Sequence, residues 1–333
     1  MKFHFEFEIK KLPDPINHNH QLLLIGSCFT ENIAARLRSY KFHSIDNPNG
    51  IIFNPVSVAE SVISYIENKI IGNDDLFYLN EAWHSWKHHS KYSSVNVEES
   101  VNKINQSTAQ AHELLKRSDY IFITLGSAWV YRLTEKASNG KPGSVAANNH
   151  KAPSDWFNRQ LLSVEDVLSV LDNAIHRLFI YNPKIRIIFT ISPVRHLREG
   201  VIENNRSKSI LIQAVHHLCD KFEKIYYFPA YELVIDDLRD YRFYAEDLVH
   251  PNYAATQYVW EKFVDSCMNE ETQELLKKIE EINRAFNHKA FNSKSVQHRK
   301  FLVSYYEKSK AIIGRYPHID LKTEMEFFSN FTD

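Results

Sequence analysis

Apolar runs of strand length alternate with helical patterns along this chain, and that alternation limits the folds open to it. Residues 22–25 form the first run, after which Phe29, Ile33 and Leu37 recur every four residues, as on one face of a helix. Further runs cover 120–125, 185–191 and 225–228, with helical patterns near 163–182, 209–222 and 253–268. Strands that alternate with helices favour a parallel sheet covered on both faces. The sequence therefore predicts an α/β fold.

Small and polar residues follow three of the apolar runs. They are Gly26-Ser27-Cys28, Gly126-Ser127 and Ser192-Pro193. In open parallel sheets, ligands bind beyond the carboxyl ends of the strands. The pattern therefore predicts one site, at that edge of the sheet.

A hydroxyl and a thiol lie at the first of these turns, in Ser27 and Cys28. Far along the chain, Asp247 and His250 place a carboxylate and an imidazole three residues apart. A nucleophile, a base and a group that orients the base are the parts of covalent acyl transfer. A helix N-terminus is expected to lower the pKa of the Cys28 thiol. The structural alternatives are that Cys28 only packs the turn and that Ser27 caps the helix.

Bulk composition excludes several classes of protein. The 333 residues carry 40 Lys plus Arg and 41 Asp plus Glu, a net charge of -1, which predicts neither nucleic-acid binding nor a basic membrane surface. The three cysteines show no C-x-x-C spacing, so no zinc site or disulfide framework is expected. No signal-peptide pattern or membrane-spanning run stands out, which predicts a cytoplasmic protein of bacterial type. Composition does not indicate an oligomeric state.

Two long insertions and a distinct C-terminal region interrupt the simple layout. The stretch 77–94 is rich in Trp and His, which favours aromatic packing or sugar stacking over a metal site. The stretch 133–155 has the composition of a loop. From about residue 269 the chain becomes charged and helical. We therefore expect one domain over 1–268 and a helical appendage over 269–333.

Several segments resemble the GSCFA family, a branch of the SGNH (GDSL-type) hydrolases. They are Gly26-Ser27-Cys28-Phe29-Thr30, Asn47-Pro48-Asn49-Gly50 with Phe53-Asn54-Pro55, Leu125-Gly126-Ser127-Ala128-Trp129, Ala147-Asn148-Asn149-His150-Lys151, Ser192-Pro193-Val194-Arg195-His196, and Asp247-Leu248-Val249-His250-Pro251. The resemblance implies a flavodoxin-like, three-layer α/β/α domain. It also implies a serine-type esterase, acetyl-esterase or acyltransferase site that uses no metal or other cofactor.

The resemblance assigns roles residue by residue. Laid over the Gly-Asp-Ser motif of the SGNH enzymes, Gly26-Ser27-Cys28 puts Cys28 at the nucleophile, and a shift of one residue would make it Ser27. Asp247 and His250 match the Asp-x-x-His motif and so become the orienting acid and the base.

The oxyanion hole implied by the resemblance is incomplete. Amides of Cys28, Gly50 and Gly126 are its expected donors, but Ala128 replaces the asparagine of the Gly-x-Asn-Asp motif. Loss of one oxyanion donor typically costs ~10²–10³ in rate. The expected substrate-binding residues are Asn54, Trp129, Asn148, His150, Arg195 and His196. Asn54, Asn148 and Asn149 are candidates to supply the missing donor, and Arg195 either binds a substrate anion or forms an internal ion pair.

Taken together, these residues predict an acyl-ester hydrolase or acyltransferase that acts on an O-acylated carbohydrate or a related small molecule. Whether water or another acceptor takes the acyl group stays open, because that depends on water exclusion. The alternative is a catalytically weak or inactive binding module for a glycan or a protein partner, which keeps the fold without the chemistry. Ala128 favours this alternative and the Asp247–His250 pair opposes it.

Overall fold

The computed structural model describes residues 5–329, which form two compact units. The first comprises 5–10, 21–34 and 44–262, and the second comprises 11–20, 35–43 and 263–329. The domain boundary expected at residue 268 stays a prediction.

Ten strands and ten α-helices are the main elements of residues 5–329, beside short 3-10 helices and one π-helix. The strands are β1 Gln21–Gly26, β2 His43–Asp46, β3 Phe77–Leu79, β4 Ala82–His84, β5 Tyr120–Leu125, β6 Trp129–Leu133, β7 Val145–Ala146, β8 Phe157–Leu161, β9 Arg186–Ile191 and β10 Ile225–Tyr227. The helices are α1 Cys28–Ser39, α2 Pro55–Ile66, α3 Val97–Arg117, α4 Val164–Tyr181, α5 Val201–Lys221, α6 Ala230–Glu232, α7 Tyr253–Cys267, α8 Glu270–Phe286, α9 Val296–Arg315 and α10 Lys322–Ser329.

A five-stranded parallel sheet in the order β2-β1-β5-β9-β10 forms the centre of the first unit. This confirms the predicted α/β fold of the flavodoxin-like type. The strand order reverses between β1 and β5, and doubly wound sheets bind ligands at such a reversal, beyond the carboxyl ends of the strands.

Apolar burial on both faces explains why these segments form a central parallel sheet. All six residues of β5 are buried, as are the last five of β1 and of β9. Helices such as α4 cover them through a regular stripe, in which Val167, Leu171, Ile175 and Leu178 are buried. Parallel strands that are covered on both faces need this continuous apolar character.

The two predicted insertions pack against each other. The first contains the antiparallel pair β3–β4, and the second contributes strand β7 to the antiparallel sheet β7-β6-β8. Phe77 and Trp86 from the first share one apolar cluster with Leu133 and Ala146 from the second. The Ala147 N–H also donates to the Trp86 carbonyl (2.7 Å). The aromatic residues of 77–94 therefore include structural packing residues.

The second unit is mainly helical and has a core of its own. Asn269 caps α8 and Ser295 caps α9, each accepting a backbone N–H through its side chain. The core residues include Leu275, Ile279, Ile282, Leu302, Ile312, Leu321 and Phe328. In residues 5–329 no helix is both long and apolar enough to cross a bilayer.

Candidate active site

Gly26 ends β1 in a conformation that only glycine adopts readily. Its φ is +149°, and a Cβ would lie 2.3 Å from the Thr124 carbonyl oxygen of β5. Its N–H donates to Asn47 Oδ1 (2.8 Å). The close approach of β1 to β5 is therefore built into the turn, and α1 begins two residues later, at Cys28.

Ser27 is buried and fully engaged. The residue is only 1% exposed. Its hydroxyl donates to Ser192 Oγ (3.0 Å) and accepts the Phe29 N–H (3.3 Å). The first bond joins the carboxyl ends of β1 and β9, and the second caps the first turn of α1. These contacts match the structural role considered for Ser27, in which its hydroxyl caps the helix.

Cys28 is half-buried at the first position of α1. Burial, followed by the charge of Glu31, raises the pKa of its thiol. The amides of Phe29 and of Cys28 itself and the Lys208 ammonium act in the opposite direction and offset only part of that rise. The expectation of a lowered thiol pKa was therefore wrong, because burial and an acidic neighbour outweigh the helix N-terminus. The resting residue is a thiol.

Asp247 and His250 form a tight pair. His250 Nδ1 donates to Asp247 Oδ2 across 2.6 Å, while Asp247 Oδ1 accepts the N–H groups of Val249 (2.9 Å) and His250 (3.0 Å). The bonds from the His250 N–H, the His250 ring and the Val249 N–H lower the pKa of Asp247 to about 2. The carboxylate thus fixes the imidazole with Nδ1 protonated and leaves Nε2 to accept a proton. Both side chains are about half exposed, at 49% and 48%.

Arg195 attaches the loop that carries this pair to the end of β9. Its N–H donates to the Val249 carbonyl and its Nη1 to the Leu248 carbonyl, both at 3.2 Å. Its guanidinium lies 4.2 Å from the centre of the Tyr244 ring. Arg195 therefore brings the loop to the edge of the sheet where Cys28 lies. Within residues 5–329, however, no hydrogen bond joins His250 to Cys28.

The glycine amides expected in the oxyanion hole are occupied. The Gly50 N–H donates to the Asn47 carbonyl (2.7 Å), and the Gly126 N–H donates to the Phe53 carbonyl (2.8 Å). An oxyanion at either amide would have to displace these carbonyls, which opposes the expected role of Gly50 and Gly126 as oxyanion donors. Cys28 starts a helix, and helix geometry offers its amide no acceptor.

Of the three asparagines considered as replacement donors, two already make side-chain hydrogen bonds. Asn54 caps α2, where Oδ1 accepts the Ser57 N–H and Nδ2 donates to Ser57 Oγ, both at 2.9 Å. Asn148 Oδ1 accepts the His150 N–H (2.9 Å). Asn149 Nδ2 is buried and lacks a hydrogen-bond partner in the described part of the chain.

His150 and Trp129, both expected to bind substrate, contact other residues of the protein. His150 is buried, donates from Nε2 to the Ser85 carbonyl (2.8 Å), and has its pKa lowered to about 4 by burial. The Arg159 guanidinium lies 4.7 Å from the centre of the Trp129 ring and occupies a stacking position there. Among the described residues, no group of three or more His, Cys, Asp or Glu is arranged to hold a metal ion.

His196 packs directly against Gly126. A Cβ on Gly126 would lie 2.7 Å from His196 Nε2, which is buried and lacks a hydrogen-bond partner in residues 5–329. The imidazole also packs on the Phe53 ring, with centroids 4.5 Å apart. Burial, helped by the charges of Lys208 and His250, lowers the pKa of His196 to about 3, so this ring is neutral.

Sequence reasoning missed Lys208. It lies on α5, is 1% exposed, and donates from Nζ to the Ser192 carbonyl (2.6 Å). Asn204 and Ser207, on the same buried face, accept the N–H groups of His196 (2.9 Å) and Ala128 (2.7 Å). Three polar residues within five positions on the buried face of a helix were the signal that would have revealed this support.

Two family models match most of the chain. The model of the GSCFA family matches residues 21–263, and that of the GSCFA domain protein, C-terminal domain, matches 279–332. A carbohydrate esterase family 3 structure from Talaromyces cellulolyticus is 8% identical (TM-score 0.36; 79% of this chain and 99% of that one covered). The acetyl xylan esterase Est2A from Butyrivibrio proteoclasticus is 12% identical (TM-score 0.37; 75% and 64% covered). At such values these two likenesses carry no argument about activity. No curated protein matches the chain.

Proposed function

The chain belongs to the GSCFA family, and we propose on that premise that it is an acyl-ester hydrolase or acyltransferase. Cys28 is the nucleophile, His250 the base and Asp247 the residue that orients the base. The observation that carries the proposal is the 2.6 Å contact between Asp247 Oδ2 and His250 Nδ1, which holds an imidazole in the state a general base requires.

The raised thiol pKa defines what the base must do. Because Cys28 rests as a thiol, its proton has to leave as Sγ attacks the acyl carbonyl. His250 Nε2 takes that proton, and Asp247 stabilises the imidazolium that forms. His250 then protonates the leaving alkoxide, which leaves a thioester on Cys28. Water or an acceptor hydroxyl releases the acyl group in the second half of the reaction.

Cys28 is preferred to Ser27 on accessibility. Ser27 is 1% exposed, and its hydroxyl already bonds Ser192 and the Phe29 amide. Cys28 is half-buried and starts the helix. An acyl group can approach Sγ with less rearrangement than it would need to reach the Ser27 hydroxyl.

An O-acylated carbohydrate or a related small molecule is the substrate class we propose. It rests on the resemblance to the SGNH hydrolases, which is an argument by analogy. The half-exposed Asp247–His250 pair is compatible with a leaving group that extends into solvent.

A binding module is the second candidate, and specific observations favour it. Ala128 stands where the superfamily has its oxyanion asparagine, and it is buried in the core. The amides of Gly50 and Gly126 are occupied, and no hydrogen bond joins Cys28 to His250 in residues 5–329. In that case the protein would bind a glycan or a protein partner without acyl chemistry.

Active-site labelling separates the two candidates. The purified protein is treated with a fluorophosphonate, which reacts with activated serines, and with a thiol-directed acyl probe, and modified peptides are mapped by mass spectrometry. We expect the thiol probe to label Cys28, His250→Ala to reduce that labelling, and the exposed-histidine variant His217→Ala to leave it unchanged. Equal labelling of the parent and His250→Ala would favour the binding module.

A further inference from the structure

A polar cavity lies within the first unit, apart from the catalytic residues. Its volume is about 600 Å³, and the residues that line it come mainly from α2, α3 and the two insertions. Ligand pockets commonly measure ~300–1,000 Å³, so the cavity has room for a small molecule. None of Cys28, Asp247 and His250 is among its lining residues. The cavity is therefore distinct from the site described above.

Buried polar side chains form one wall of this cavity. Asn49, Ser57, Ser61, His88 and Thr108 all line it, and each is at most 6% exposed. A buried polar group costs free energy unless it is hydrogen-bonded. Ser61 meets that requirement, because its hydroxyl donates to the Ser57 carbonyl (2.8 Å) and accepts from Asn49 Nδ2 (2.9 Å).

His88 and Thr108 do not meet it. His88 Nδ1 pairs with Ser85 Oγ at 2.8 Å, but His88 Nε2 has no hydrogen-bond partner within residues 5–329. The Thr108 hydroxyl, in a residue only 2% exposed, also lacks a partner in that part of the chain. Neither atom is sealed inside the protein, so both are open to the cavity that their residues line. Buried polar groups of this kind call for a partner from outside the chain.

A chain of contacts holds these two groups on the same side of the cavity. The His88 ring packs edge-on against the Tyr92 ring, with centroids 5.9 Å apart. The Tyr92 hydroxyl lies 2.9 Å from Ser107 Oγ, and Ser107 precedes Thr108 on α3. One small ligand can therefore contact both groups.

Charges around the cavity are balanced. Glu60 forms an ion pair with Lys87 (2.6 Å), and Glu67 forms one with Arg177 (2.7 Å). The other charged lining residues number two of each sign, namely Asp74, Asp75, Lys69 and Lys141. A charged ligand therefore gains no electrostatic advantage over a neutral one.

We propose that this cavity binds a neutral sugar unit through His88 Nε2 and the Thr108 hydroxyl. The inference goes beyond the proposed function, because binding a sugar here requires no acyl chemistry.

Sugar hydroxyls match both groups. A hydroxyl donates and accepts hydrogen bonds, so it pairs with His88 Nε2 in either neutral tautomer and with the hydroxyl of Thr108. Burial lowers the pKa of His88 to about 3, so the ring is neutral and does not select an anion. The carbon skeleton of a sugar suits the apolar part of the lining, which includes Ile63, Ile71 and Leu133.

Titration with methyl glycosides tests the proposal on the full chain. Methyl glucoside, methyl galactoside and methyl mannoside are titrated at pH 7.5, and ligand-observed NMR measures each Kd. We expect at least one to bind with a Kd of about 1 mM, as befits a ligand of this size. The uronic acid and the amino sugar of the same configuration should bind more weakly.

Two substitutions locate the binding. Thr108→Val keeps the shape of the side chain and removes a hydroxyl that has no protein partner, so the melting temperature should be unchanged or higher. It should weaken sugar binding by roughly 3- to 10-fold, the loss expected for one hydrogen bond. His88→Gln should weaken binding similarly. The exposed Thr323→Val on α10 is the matched control and should change neither quantity.

Three results would overturn the proposal. They are no binding of any of the three glycosides up to about 100 mM, binding that both variants leave unchanged, and tighter binding of the charged sugars. Weaker binding with a lower melting temperature in both variants would show a structural effect and would also overturn it. Because methyl glycosides contain no ester, the sugar site and the proposed acyl chemistry succeed or fail independently.

Discussion

Asp247 Oδ2 lies 2.6 Å from His250 Nδ1, on a loop that Arg195 joins to the end of β9. The carboxylate also accepts two backbone N–H groups, so it is held in place while it orients the ring. These three bonds lower its pKa to about 2, well below the ordinary value of ~3.9. The stabilisation from this shift is complete above the ordinary value and is lost as pH falls towards 2.

Asp247→Asn should reduce turnover of an acyl ester by roughly 10²- to 10⁴-fold, because an amide no longer selects the Nδ1-protonated imidazole or stabilises its cation. Steady-state kcat with an activated acetyl ester measures this. The matched control is Asp240→Asn in a neighbouring turn, where the carboxylate accepts the Arg242 N–H and is expected to affect turnover little. Equal losses in the two variants would mean that the Asp247 contact is not specific.

Ser27→Ala should destabilise the protein by about 1 kcal/mol and leave acyl chemistry within a few-fold of the parent. The reason is that the hydroxyl bonds Ser192 Oγ and the Phe29 N–H, both structural contacts. Urea denaturation and turnover are measured on the same preparation, with the exposed Ser209→Ala as control. Abolished turnover in a stable Ser27→Ala protein would instead identify Ser27 as the nucleophile.

Gly126→Ala should cost about 1–3 kcal/mol, since a Cβ would lie 2.7 Å from His196 Nε2 and 3.0 Å from Phe53 Cβ. Adding His196→Ala should recover part of that loss, because it removes one of the two clashes. A double-mutant cycle by urea denaturation measures the coupling. Gly72→Ala is the control, as nothing lies within 4 Å of its added Cβ. Strict additivity would show that His196 does not cover Gly126.

His88 should make the protein less stable in mild acid. Burial lowers its pKa to about 3, whereas the unfolded chain has the ordinary value of ~6.5. As pH falls from 6.5 towards 3, the unfolded state binds a proton that the folded state does not bind. The free energy of unfolding therefore falls by up to ~1.4 kcal/mol per pH unit. His88→Gln should flatten the fall in urea unfolding free energy between pH 6.5 and 4.5, while the exposed His217→Gln should not. Parallel curves for parent and His88→Gln would contradict this.

The fold followed from the sequence because its strands are continuous apolar runs and its helices have regular buried stripes. Leu22 to Ile25 and Tyr120 to Leu125 show this, and each is buried as expected. The pKa of the Cys28 thiol could not be predicted from the sequence. A helix N-terminus suggested a lowered pKa for Cys28, but its burial and the charge of Glu31 depend on tertiary packing.

Hydrogen-bond partners were the other feature that sequence could not supply. The motif positions of Gly50 and Gly126 gave no indication that each amide already donates to a carbonyl. Lys208 was missed because a lysine in an amphipathic pattern is ordinarily placed in solvent. Its burial becomes evident only when α5 is packed against the loop that follows β9.

Capture of the acyl-enzyme tests the central claim most directly. The protein is mixed with an activated acetyl ester, quenched in acid within one turnover and digested, and the peptide that carries Ser27 and Cys28 is fragmented in the mass spectrometer. We predict an acetyl group on Cys28 Sγ that hydroxylamine removes, absent from Cys28→Ala and strongly reduced in His250→Ala, with Cys28→Ser retaining some turnover. An acetyl group on Ser27, or undiminished turnover by Cys28→Ala, would contradict the assignment of Cys28 as the nucleophile.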